Sequence, residues 1–135
     1  MIERRVGARE RTLLGWSMGG YGALLAAETQ PDRFRAVAAA SPALWTSPGA
    51  TAEGAFDDAD DYEQHDVYRQ AARLAALTVR IDCGTHDPFY DAARTFADDL
   101  QPAPETSFGS GFHDAAYWRS VAPAQLRTII RALRG

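Results

Sequence analysis

A single cysteine, Cys83, stands in the 135 residues, so no disulfide can form within the chain. A lone thiol fits a reducing compartment. No apolar run approaches the length that crosses a membrane. Met1-Ile2-Glu3-Arg4-Arg5 is not followed by the apolar core of a secretory leader, so the sequence as written reads as cytoplasmic. A net charge of −4 is too mild, and of the wrong sign, for a nucleic-acid surface. There is no internal repeat and no low-complexity tract. The acidic run Asp57-Asp58-Ala59-Asp60-Asp61 lacks the glycine and glutamate of a calcium loop and reads as a solvated loop or helix start. Nothing in the sequence calls for a metal or a cofactor.

What is present is ordinary for a globular protein: 46% apolar and 24% charged residues, and a length that suits one domain, 1–135, with a real core. The stretch that organises the chain is Gly15-Trp16-Ser17-Met18-Gly19-Gly20-Tyr21-Gly22, which contains Gly-x-Ser-x-Gly. That pattern seats a serine on a strained turn between a strand and a helix, with its hydroxyl exposed above the sheet. The context agrees. Thr12-Leu13-Leu14 has the apolar run of a buried strand, and Ala23-Leu24-Leu25-Ala26-Ala27-Glu28 is rich in helix formers, with Pro31 as a stop beyond it. The alternative is a glycine-rich turn carrying an ordinary serine.

The rest of the chain repeats strand and helix. Ile2 to Val6 reads as the tail of a helix closed by Gly7. Residues 35–40, mostly alanine, have the length and flanking turns of a short buried strand. Residues 42–60 are loop-like. Asp61 or Asp66 is expected to cap a helix carrying Val67, Ala71, Leu74 and Ala75. Residues 78–83 alternate with the strand period, and Pro88 suits the first position of a helix with Phe89, Ala92, Ala93, Phe96, Ala97 and Leu100 on one stripe. Thr106-Ser107-Phe108 is a short strand. A last helix carries Trp118, Val121, Ala122, Leu126, Ile129, Ile130 and Leu133, and Pro123 should kink or restart it. The pattern implies an α/β fold with a mainly parallel sheet and ligands at the carboxyl ends of the strands.

Ser17, Ser41, Asp87 and His113 all follow strand ends. A serine hydroxyl attacks a carbonyl only when a base removes its proton, and a carboxylate must orient that base. The α/β-hydrolase order of these groups is serine, acid, histidine, which Ser17, Asp87 and His113 obey. His113 lies in the glycine-rich loop Gly109-Ser110-Gly111-Phe112-His113-Asp114. His65 sits in a polar helical segment and His86 in a turn. Asp82 rivals Asp87 as the acid but lies inside a strand. Asp114 is too near His113 in sequence to orient it well.

Gly15 to Leu24, Ala40-Ser41-Pro42-Ala43-Leu44-Trp45, Cys83-Gly84-Thr85-His86-Asp87-Pro88-Phe89, and Gly111-Phe112-His113-Asp114 with Tyr117-Trp118 resemble the putative-esterase family of α/β-hydrolases. That family includes esterase D (S-formylglutathione hydrolase) and the mycobacterial antigen 85 mycolyltransferases. The resemblance spans nearly the whole chain. It implies Ser17 as nucleophile, Asp87 as acid, His113 as base and the Met18 N–H as one oxyanion donor. It also implies that Trp45 lies near the acyl pocket, unless it is simply a core tryptophan. The family fold places several strands, and a second oxyanion donor, before the serine turn. This chain therefore reads as the C-terminal half of such a hydrolase.

Three functions follow from the resemblance. The chain is a serine esterase acting on a small ester or thioester, weak or inactive by itself; or a non-catalytic hydrolase fragment or interaction module; or an antigen 85-like acyltransferase. His113-Asp114-Ala115-Ala116-Tyr117-Trp118 is closer to the esterase members. A serine strand with an open edge would also pair with a second copy, giving a homodimer.

Overall fold

A computed structural model describes residues 10–135. Four strands, β1 (Thr12–Trp16), β2 (Ala36–Ala40), β3 (Thr78–Asp82) and β4 (Glu105–Ser107), form one all-parallel sheet in the order β1-β2-β3-β4. The helices are α1 (Met18–Thr29), α2 (Ala59–Gln64), α3 (Tyr90–Asp99) and α4 (Ala115–Arg134). The α/β reading holds, and each strand end feeds a loop on the same rim of the sheet. The helix expected over residues 2–6 lies outside the described residues.

β2 explains its own composition. It lies between β1 and β3 and is covered on both faces, so all five of its residues are fully buried. Val37 and Ala39 pack with Leu24, Ala27, Ile81, Phe96 and Ala97 beneath α1 and α3. Ala40 packs with Tyr117 and Val121 of α4 on the opposite face. Alanine on both sides lets these helices approach the sheet closely.

The α4 face also holds a polar lattice. Arg80 Nε donates to Asp82 Oδ2 at 2.9 Å, and Arg80 Nη1 lies 3.4 Å from Glu105. Thr128 and Arg131 of α4 donate to the same Glu105 carboxylate. Two positions of α4 that face the sheet, Gln125 and Thr128, are therefore polar yet buried.

Four expectations need correction. Asp58, not Asp61 or Asp66, caps the helix after the acidic run by accepting from the Asp61 N–H at 2.8 Å, and that helix ends at Gln64. Asp66 instead turns the chain by accepting from the Tyr68 N–H at 2.9 Å, which leaves only a 3₁₀ turn at Ala71–Leu74. Pro88 precedes the helix it was expected to open, because Asp87 first accepts from the Phe89 N–H and α3 begins at Tyr90. Pro123 does not restart the last helix: α4 runs unbroken through it. Finally, β1 is less buried than its apolar run suggests. It forms one edge of the sheet among the described residues, and Leu14 and Trp16 are exposed.

Candidate active site

Ser17 sits between β1 and α1 with φ 54° and ψ −126°, a conformation a non-glycine residue holds only when its surroundings fix it. Three backbone bonds do so. The Ser17 N–H donates to Ala40 O at 3.0 Å, and Ser17 O accepts from the N–H groups of Tyr21 and Ala43, each at 3.1 Å. Gly15 is required by contact, because a Cβ there would lie 2.3 Å from Gly19 O, whereas a Cβ on Gly19 would meet nothing within 4 Å. Met18 is the first residue of α1, where backbone N–H groups have no partner within the helix and the dipole favours negative charge.

Asp87 and His113 come from the loops after β3 and β4, and backbone bonds join those loops. The Thr85 N–H donates to Gly109 O and the His86 N–H to Gly111 O, both at 2.9 Å. A Cβ on Gly84 would strike Gly111 O at 2.3 Å, so the two loops close only because residue 84 is glycine.

The result is a continuous chain of three side chains. Ser17 Oγ lies 2.9 Å from His113 Nε2, and His113 Nδ1 lies 2.8 Å from Asp87 Oδ2. The carboxylate of Asp87 is fully buried and accepts at its other oxygen from the Phe89 N–H at 2.9 Å. A carboxylate can only accept, so the ring proton belongs on Nδ1. In the neutral ring Nε2 then offers its lone pair to the serine hydroxyl. The electrostatics are those of a base with a buried anion behind it and a hydroxyl in front.

Beside Ser17 opens a cavity of about 390 Å³ lined by Met18, Ala43, Trp45, Phe89 and the 52–55 loop. Trp45 thus stands on the pocket wall, where its ring meets Phe89 edge-on at 5.5 Å. A separate hollow of about 310 Å³ between α3 and β4 holds none of the three chained residues.

The rival residues lie elsewhere. Asp82 is bound to Arg80, and burial raises its carboxyl above the usual carboxylate range. Asp114 caps α4 by accepting from the Tyr117 N–H at 2.9 Å. His65 turns to Asp61, and His86 stacks on Phe112 with centroids 4.8 Å apart. Cys83 is buried against Asp87 and Ser41, and burial, reinforced by Asp87, pushes its thiol up to about 12, so it stays protonated.

Two aromatic residues at this site stand in segments that carry the family resemblance, yet the sequence assigns them no role beyond packing. Phe89 lies 5.5 Å from the His113 ring, and Trp118 meets it edge-on at 5.3 Å. Both sit on stripes whose helical spacing marks core, which hid them. Their signal was position, two residues after the acid and five after the base.

The sequence profile of the Putative esterase family matches residues 2–129. The chain belongs to that family. Similar solved structures include a ferulic acid esterase, 23% identical with a TM-score of 0.80, over 97% of this chain and 57% of that one. An S-formylglutathione hydrolase from Staphylococcus aureus is 28% identical with a TM-score of 0.66, over 87% of this chain and 50% of that one. A fluorophosphonate-binding serine hydrolase F from the same organism is 26% identical with a TM-score of 0.70, over 87% and 53%. The ferulic acid esterase carries the fold alone, and this chain spans about half the length of all three. Family and neighbours together support a hydrolase or esterase function. Among the described residues no helix is long and apolar enough to cross a membrane.

Proposed function

We propose that the family chemistry of this esterase chain is hydrolysis of a small carboxylic ester or thioester through an acyl-serine. The observation that carries the reading is the Ser17–His113–Asp87 chain, with links of 2.9 and 2.8 Å. His113 Nε2 takes the hydroxyl proton as Ser17 Oγ bonds to the substrate carbonyl carbon. The imidazolium is held by the Asp87 carboxylate and then gives that proton to the leaving alcohol or thiol as the C–O or C–S bond breaks. Water deprotonated by the same nitrogen attacks the acyl-serine, and the serine recovers its proton as the acid leaves. The Met18 N–H, at the start of α1, stabilises the oxyanion of each tetrahedral intermediate. Trp45 and Phe89 give the acyl pocket its apolar wall. No cofactor or metal takes part in this scheme.

The 135 residues by themselves are proposed to be a slow catalyst. One oxyanion donor is assigned here, and losing one of two typically lowers turnover by about 10²–10³. The acyltransferase alternative needs an acceptor site for a second alcohol, and no feature of the pocket favours one. A fluorophosphonate probe should label Ser17, Ser17→Ala should abolish labelling, and His113→Ala should slow it by orders of magnitude. Nitrophenyl acetate should turn over slowly and only with Ser17 present. Labelling that survives Ser17→Ala would overturn the assignment. Failure to label the wild-type chain would favour the non-catalytic reading.

A further inference from the structure

The base needs more than its two hydrogen bonds. An imidazole bonded at both nitrogens can still rock about its side-chain torsions, and serine chemistry tolerates little displacement. His113 is confined on two sides by rings. Phe89 lies on one side, tied to the acid through its own N–H. Trp118 lies on another, edge-on at 5.3 Å and 87°.

Trp118 is itself fastened. Its indole Nε1–H donates to Ser41 Oγ at 3.1 Å, and Trp16, the neighbour of Ser17, stacks on its ring at 5.9 Å and 20°. Ser41 is fully buried and has φ 45°, besides Ser17 the only positive φ at a non-glycine residue among the described residues. Its N–H donates to Asp82 O at 2.7 Å, which carries the β2–β3 ladder one residue past β2. A strained serine, rather than the glycine such a φ favours, therefore holds its hydroxyl beneath an indole that touches the base.

We infer that Ser41 and Trp118 form a clamp that positions His113 for Ser17. Ser41 sets the indole, the indole limits the imidazole, and neither touches the reacting atoms. The inference rests on the proposed serine mechanism, and its test separates the two.

The test measures inactivation of the full chain by a fluorophosphonate across a range of concentrations, for wild type, Trp118→Phe, Ser41→Gly and the double variant. Glycine tolerates the positive φ and removes the hydroxymethyl group that holds the indole N–H, while phenylalanine keeps an aromatic ring beside His113 and removes the pyrrole half of the indole with its N–H. One neutral hydrogen bond corresponds to about a ten-fold change in rate. Each single variant should lose about that factor in the maximal rate with the half-saturating concentration unchanged. The double variant should lose no more than either single one, because both remove the same bond. Unchanged rates, losses that multiply, or a shift confined to half-saturation would overturn the clamp and leave the mechanism standing.

If the wild-type chain is not labelled at all, the proposed mechanism fails and the imidazole nitrogen spectrum decides the clamp alone. Signals of His113, assigned by their loss in His113→Gln, should show the Nδ1–H tautomer set by Asp87 as sharp lines in wild type and as lines broadened by ring motion in Ser41→Gly. Identical spectra would overturn the clamp.

Discussion

At the scale of the residue, Glu28 of α1 stands apart. It is fully buried, and neither carboxylate oxygen has a hydrogen-bond partner. Burial, and then the charge of Asp66, push its carboxyl from 4.5 up to about 8, with Arg73 opposing. In the unfolded chain the group releases its proton near its ordinary value, whereas in the folded chain it keeps it. Between about 4.5 and about 8 the folded state therefore binds more protons, and stability falls as pH rises through that window. At about 1.36 kcal/mol per unit the loss amounts to a few kcal/mol. Glu28→Gln should remove this slope: denaturant midpoints at pH 5 and pH 8.5 should converge. A slope that persists in the variant would show that another group is responsible. Nothing local signals this, because Glu28 reads as one more helix former near the end of α1, and only the fold, which packs α1 against the 71–74 turn, buries it.

At the scale of the element, the serine turn was legible because its chemistry is local. Gly-x-Ser-x-Gly, a short apolar run before it and a helix-forming run after it lie within about twenty residues and are confirmed together by β1 and α1. The segment from 57 to 77 was not legible in the same way. Its aspartates compete for the same role, and Asp58 wins the cap while Asp66 breaks the helix that the apolar spacing suggested. α4 continues through Pro123 without restarting, and it is fixed from outside on both sides of the proline. Asp114 caps it, and Thr128 and Arg131 tie it to Glu105. The turn also predicts a cost. Gly15→Ala would put a methyl carbon 2.3 Å from Gly19 O, so strand and helix must part. The variant should lose about 1–3 kcal/mol, read from chemical denaturation, and should also lose fluorophosphonate labelling. Gly22→Ala, where added Cβ meets nothing within 4 Å, is the control and should be near neutral or stabilising.

At the scale of the molecule, five of the seven exposed large apolar residues among those described belong to two elements, β1 and α4. Leu14 and Trp16 point from β1 towards the face that α4 covers, and Leu126, Ile130 and Leu133 lie at helical spacing on the exposed side of α4. β1 also has no strand neighbour on its outer edge among the described residues. Such an edge is a template for pairing with another chain. The purified chain is predicted to self-associate, and light scattering should report a dimer or larger species. Leu126→Glu combined with Ile130→Glu should shift it toward monomer. A stable wild-type monomer with cooperative unfolding would refute the prediction.

The two bonds from Thr85 to Gly109 and from His86 to Gly111 carry one last consequence. They extend the pairing of β3 with β4 beyond the strands and into the loops that hold the acid and the base. The composition there, rich in glycine and serine, is that of a segment that opens freely. In deuterated buffer the Thr85 and His86 amides should nevertheless exchange at the pace of the sheet, orders of magnitude slower than those of the 49–54 loop. The acid and the base would then share the rigidity of the sheet itself, and any opening that frees one would have to release the other.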